Sequence, residues 1–153
     1  QLAEKGDQHA ITAVSARLEH SDYDVRWVAV ELLCQLAEKG DHHAITAVSA
    51  RLEHSNHSVR CAAVEALWQL AEKGDQHVIT AVSARLEDRY HYVRRAAVEA
   101  IRQLAEKGDQ HAITAVSARL EDSDHSMRCA AVDTLCQLAE KGDQHAITAV
   151  SAR

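Results

Sequence analysis

Seven residues, Gln-Leu-Ala-Glu-Lys-Gly-Asp, begin at Gln1, Gln35, Gln69, Gln103 and Gln137, always 34 positions apart. Each copy runs into a nearly unvaried second half, which in the second repeat reads His43-Ala44-Ile45-Thr46-Ala47-Val48-Ser49-Ala50-Arg51-Leu52-Glu53. A fixed period of this length constrains the fold more than any local signal. One such repeat cannot bury its own apolar face and must stack on its neighbours. The 153 residues therefore divide into repeats 1–34, 35–68, 69–102 and 103–136 and a half repeat 137–153, a single array spanning 1–153.

The repeat reads as two helices. Proline is absent, and all five glycines share one repeat position (Gly6, Gly40, Gly74, Gly108 and Gly142) in a chain rich in Ala, Leu, Glu, Lys, Arg and Gln. Those are strong helix formers. Asp22 is a good N-cap, and Val25, Ala29, Leu33 and Leu36 recur at the spacing of one helical face. Gly40 sits where a helix C′ residue adopts a left-handed conformation, and Asp41 then caps a second helix whose buried stripe is Ile45, Val48 and Leu52. Lys39-Gly40-Asp41 thus closes one helix and opens the next, a connection so short that the two must be antiparallel. The pattern predicts a first helix A at 22–38, 56–72, 90–106 and 124–140. Helix B is predicted at 8–19, 42–53, 76–87, 110–121 and 144–153, with residues 1–5 as the stump of a preceding helix A. The expected fold is all-α, an α-solenoid of stacked antiparallel helical hairpins.

The pattern Asp22-x-x-Val25-Arg26-x-x-Ala29-Val30-Glu31-x-Leu33, followed by a second helix ending in Leu52-Glu53, resembles the HEAT-like repeats of the phycobilin-lyase type. It is also similar to the artificial alphaRep scaffolds built from that class, and the resemblance covers the whole chain. One departure is Ala37-Glu38-Lys39, which is expected to lengthen helix A by nearly a turn. Tetratricopeptide repeats share the period, but their Trp, Gly, Tyr and Pro signature positions are missing.

Comparing the chain with itself locates the variation. The first residues of helix A read Tyr23-Asp24, His57-Ser58, His91-Tyr92 and His125-Ser126. Four residues after the first of each pair come Trp27, Cys61, Arg95 and Cys129, and seven further on Cys34, Trp68, Arg102 and Cys136. Offsets of 0, 4 and 11 share one helical face, roughly opposite the apolar stripe. Drift at unrestrained exposed positions would also change helix B at Thr12, Ser15 and Glu19, yet their copies are constant. Trp, Tyr and Arg are moreover enriched at interface hot spots. These sixteen residues are therefore expected to form a diversified surface that binds a protein or peptide. The alphaRep resemblance implies the same, since the corresponding helix-A positions carry the binding surface there, on the concave side.

Other classes are weaker. The net charge of −6 argues against nucleic acid and anionic membranes. No apolar run approaches the roughly 20 residues of a membrane span, and no signal peptide opens the sequence. The four cysteines fall at two repeat positions on helices expected about 8–10 Å apart, too far for disulfides, which points to thiols in a cytoplasmic protein. His9, His43, His77, His111 and His145 march along the stack at a spacing too wide for one zinc ion, and their expected role is structural. His57 with Cys61, and His125 with Cys129, supply only two ligands each, so neither a metal nor a cofactor is expected. The constant Arg26, Arg60, Arg94 and Arg128 are expected to reach Asp22, Asn56 or Asp124, with Asp88 capping where Tyr90 breaks that series. No catalytic grouping appears, and an enzyme is not expected. With no polar terminal repeat, the array is expected to self-associate end to end. The alternatives are a ligand-sensing array of an immune-type receptor, a bilin chromophore chaperone implied by the lyase resemblance, and a spacer without a ligand.

Overall fold

A computed structural model describes residues 4–140 and 142–151, and all regular structure among them is helical. The chain forms two compact units, Gln1–Glu72 and Lys73–Arg153.

The N-terminal unit contains α1 (Gln8–Ser15), α2 (Tyr23–Leu36), α3 (His42–Ser49) and α4 (His57–Leu70). Each short helix continues into a 3-10 turn, at Ala16–Glu19 and Ala50–Glu53. The long helices α2 and α4 lie side by side in one layer, and α1 lies beside α3 in the other. Between the layers sit Ile11, Leu18, Leu33, Ile45, Val48 and Leu67, all buried.

The C-terminal unit repeats the plan with α5 (Gln76–Ser83), α6 (His91–Leu104), α7 (Gln110–Ser117), α8 (His125–Leu138) and α9 (Gln144–Ser151). Its 3-10 turns are Ala84–Glu87 and Ala118–Glu121. Here α6 packs on α8, and α7 on both α5 and α9, around Ile79, Leu86, Ile101, Leu104 and Ile113. This is the expected α-solenoid arrangement of stacked hairpins.

Helix B keeps its expected bounds but ends in a tighter turn. The Ala50 N–H is shared between the Thr46 and Val48 carbonyls, which winds the last turn down. Of the predicted 144–153 segment, residues 152–153 lie outside the described ones. So do residues 1–3 of the expected stump, and Glu4 and Lys5 are not helical.

Helix A is shorter than the pattern predicts. It ends at Leu36, Leu70, Leu104 and Leu138, because the following alanine turns extended (Ala37, φ −84°, ψ 150°). Ala37-Glu38-Lys39 therefore lengthens a loop, not the helix. The glycine is left-handed as expected, with φ of +83° at Gly40, a conformation that costs other residues roughly 1–2 kcal/mol. It does not cap its own helix, however. The Gly40 N–H donates to the Leu70 carbonyl at the end of the next long helix, at 2.7 Å. Gly6 donates likewise to Leu36, Gly74 to Leu104 and Gly108 to Leu138, at 2.6–2.8 Å. An orphan helix-end carbonyl is thus satisfied from the preceding repeat. A Cβ on Gly40 would also meet the Glu72 side chain at 3.2 Å.

This reassigns the hairpin. The closely packed neighbours in sequence are α1 with α2, α3 with α4, α5 with α6 and α7 with α8. Each pair is a short helix and the long one after it, joined by the turn at residues 20–22 or its copies. The seven-residue motif links one such hairpin to the next. Its Asp does cap helix B as predicted: Asp41 accepts from the His43 and Ala44 N–H groups at 2.9 and 3.0 Å.

The constant arginines also differ from expectation. Arg26 and Arg60 are buried and donate to backbone carbonyls of the preceding turn, not to an acidic N-cap. Arg26 reaches the His20 and Ser21 carbonyls at 2.8 and 2.9 Å, and Arg60 those of His54 and Ser55 at 2.6 and 3.0 Å. Arg128 does the same with Asp122 and Ser123. The Asp and Asn caps are occupied by N–H groups of their own first turns, such as Asp24 on Asp22 and Ser58 on Asn56. Asp88 accepts the Tyr90 N–H at 3.0 Å, as Asp122 accepts that of Asp124, but no side chain caps the first turn of α6, so Asp88 does not replace the missing cap.

Candidate binding face of the long helices

In the N-terminal unit the variable residues lie along α2 and α4. Tyr23, Asp24 and Trp27 are exposed, Tyr23 at 64 % and Trp27 at 44 %. His57, Ser58, Cys61 and Trp68 on α4 are half-buried, as is Cys34 on α2. The Cys34 thiol donates to the Gln69 side-chain oxygen at 3.2 Å, tying α2 to α4, and burial pushes its pKa up. The last variable position of each helix is thus partly a packing position, and the first is open on α2 but half-buried on α4.

In the C-terminal unit His91, Tyr92 and Arg95 on α6, and His125, Ser126, Cys129 and Cys136 on α8, are exposed. Arg102 is half-buried, whereas Tyr92 is 62 % exposed. The Tyr92 ring leans on His91, with centroids 3.9 Å apart. Ser126 donates its hydroxyl to the Asp124 carboxylate at 2.6 Å, and Cys129 Sγ lies 3.7 Å from His125 Nε2. The four cysteines are thiols. Among the described residues no group of three or more His, Cys, Asp or Glu could hold a metal ion.

One element of this face escapes a search for variation because it scarcely varies. Counting on from Trp27, the next residue over the same face is Glu31, and its copies are Glu65, Glu99 and Asp133. An acid therefore stands in the middle of the variable positions on every long helix. The i, i+4 spacing from Trp27, Cys61, Arg95 and Cys129 is the signal that finds it. On α6 Arg102 satisfies the acid: its Nε and Nη2 donate to the two oxygens of Glu99 at 3.0 and 2.6 Å, and Gln103 adds a third bond at 2.8 Å. Burial raises the Glu99 pKa, but the Arg102 and Gln103 hydrogen bonds outweigh it and hold the carboxyl below its ordinary range. Glu65 in the N-terminal unit is half-buried and shifted the other way, upward, by burial.

The contrast with helix B is narrower than its sequence suggests. Ser15 is not exposed but buried, donating to the Ile11 carbonyl at 2.7 Å. Thr12 and Glu19 are exposed yet engaged. Thr12 Oγ1 lies 2.8 Å from His43 Nε2, and Glu19 pairs with Arg51 at 3.1 Å, both reaching the next repeat. Constancy there reflects repeat-to-repeat bonding. It also gives His43 the structural role expected of its row.

Outside this face, α2 presents a second apolar surface. Val28 and Leu32 are exposed and, with Val14, Arg17, Asp24 and Val25, line an open groove of about 380 Å³, so Asp24 belongs to this surface. No helix among the described residues is long and apolar enough to cross a membrane.

The profile of HEAT repeats matches residues 11–102, and one described as a HEAT repeat associated with sister chromatid cohesion matches residues 110–135. Among solved structures the chain is similar to a designed armadillo repeat protein in complex with the peptide (KR)4. The two are 17 % identical with a TM-score of 0.64, over 91 % of this chain and 70 % of that one. It is also similar to an engineered protein at 16 % identity and a TM-score of 0.57, over 93 % and 67 % of the two chains. No curated protein matches it. Identities this low speak for the fold alone, but the first profile spans more than half of the sequence over the repeats whose packing is described above, and the chain belongs to the HEAT repeat family.

Proposed function

We propose that the chain is a non-enzymatic binding scaffold in which the exposed face of the long helices captures a protein or peptide partner. The observation that carries this reading is the solvent exposure of Tyr23, Trp27 and Tyr92 on that face. Large aromatics left open cost burial they would otherwise gain and are the residues that anchor interfaces. A designed repeat protein of similar fold is described in complex with a peptide, which supports an extended ligand. Thiols rather than disulfides suit a reducing compartment, and the proposed location is the cytoplasm.

The test is affinity capture with the chain and with a variant carrying Trp27→Ala, Trp68→Ala, Tyr92→Ala and Arg95→Ala. Partners held by this face are lost by the variant. An unchanged captured set means that the face is not the binding surface.

For the apolar groove on α2, the occupant we propose is a second copy of the chain, giving a heterologous contact. Light scattering is expected to show mass rising with concentration, and Leu32→Glu to abolish the rise. A strict monomer over a wide concentration range excludes it.

A further inference from the structure

We infer that the face of the long helices in the N-terminal unit selects a basic segment of its partner, with arginine preferred. The inference rests on the binding-face reading and adds the chemistry of the ligand. Glu31 and Glu65 stand at equivalent positions on α2 and α4, which pack side by side, so their backbones are separated by about one helix-packing distance, 8–10 Å.

No hydrogen bond or ion pair engages Glu31 or Glu65 among the described residues, and Glu65 is partly desolvated, with its pKa raised by burial. A half-buried carboxylate without a cation is an unspent acceptor. Two indoles flank the pair: Trp27 lies one turn before Glu31 on α2, and Trp68 one turn after Glu65 on α4. Indole faces attract guanidinium and ammonium groups, and the planar guanidinium can both stack on the ring and fork onto a carboxylate.

The C-terminal unit shows what a guanidinium does on this row. Arg102 grips Glu99 with two hydrogen bonds at 3.0 and 2.6 Å. It occupies the position that Trp68 holds on α4. Where the repeat carries arginine, the chain supplies its own cation; where it carries tryptophan, the cation is left to the partner. The acid on α6 is thus masked by the chain's own arginine, while those on α2 and α4 are open.

Trp27 and Trp68 are the two tryptophans of the chain, so intrinsic fluorescence reports on this site alone. The probe is an octapeptide of alternating lysine and arginine, with an alternating serine–glutamine peptide and an alternating aspartate–glutamate peptide as controls. The basic peptide is expected to change tryptophan emission saturably, more weakly as salt rises, and the controls to leave it unchanged. Glu31→Gln with Glu65→Gln is expected to weaken binding about tenfold or more, since both charge-assisted acceptors are lost. Circular dichroism of this variant is expected to match that of the parent, its helices intact. Arg102→Ala uncovers Glu99, and calorimetry is expected to show a second peptide bound. Equal responses to the three peptides, no response to any, or full affinity in the Glu31→Gln/Glu65→Gln variant overturns the inference. If partner capture still depends on the aromatic and arginine side chains in that case, the binding-face reading stands and only the basic ligand is lost.

Discussion

Replacing Arg94 with alanine is expected to destabilise the C-terminal unit by about 3 kcal/mol, the usual cost of removing one partner of a buried pair. Arg94 Nη1 donates to the Asp88 and Arg89 carbonyls at 2.9 and 3.3 Å. Its Nε and Nη2 fork onto the two oxygens of Asp122 in the next repeat, both at 3.0 Å. The side chains are 13 % and 5 % exposed. Without Arg94, Asp122 keeps only the Asp124 N–H at 3.0 Å and the more distant Arg119 at 3.9 Å. Urea unfolding reads the loss, and an unchanged midpoint sinks the claim. The equivalent Arg26→Ala change is expected to cost less. Arg26 holds two backbone carbonyls, and the position matching Asp122 is His54.

The pair also sets a pH dependence. Burial pushes the Asp122 carboxyl up, but the Asp124 N–H, Arg94 and Arg119 together hold it below its ordinary value. A folded pKa below the unfolded one contributes stability that is present above about pH 4 and lost as the pH falls through the folded value. Asp122→Asn is therefore expected to flatten the acid limb of the stability curve. Acid unfolding identical to that of the parent counts against the assignment.

The second large effect concerns one residue in two places. Ile113→Ala is expected to cost about 3 kcal/mol, within the range for a fully buried isoleucine, because Ile113 is 0 % exposed between α7 and α8. Ile147→Ala, inside the same Gln-His-Ala-Ile-Thr-Ala-Val-Ser helix, is expected to cost less than about 1 kcal/mol, because Ile147 is 48 % exposed. Thermal unfolding of the two variants separates them. Equal losses refute the idea that stacking, and not the helix sequence, decides the contribution of each copy.

Much of the fold is legible in the letters because it is local chemistry repeated. The Asp41 cap, the left-handed Gly40 and the burial of Ile45, Val48 and Leu52 follow from propensity and spacing, and all are present. The destination of a hydrogen bond is not local. Gly40 as a helix C′ residue and Gly40 as donor to Leu70 need the same φ, so the residue type cannot distinguish them. Nor can spacing show that Ala37 leaves the helix while its neighbour's last carbonyl is capped from another repeat.

The binding face divides the same way. Which positions vary is read directly from the repeats, and Tyr23, Trp27, Arg95 and Cys129 are exposed where that reading places them. The acid row was hidden because Glu31, Glu65, Glu99 and Asp133 look like framework in a search for differences. Ser15 was misplaced because a serine can satisfy its hydroxyl on the Ile11 carbonyl and be buried at little cost.

By itself, then, the sequence determined the helical repeat, its caps, its apolar stripes and the positions free to differ, since each depends on residues within a few turns of one another. Only the tertiary structure decided which helices pair, where Arg94 and Gly40 spend their donors, and whether a carboxylate of the row meets a cation. Those outcomes depend on groups a full repeat apart, brought together by stacking. Identical letters therefore carry different energies at Ile113 and Ile147, and nearly identical letters carry different charge environments at Glu65 and Glu99.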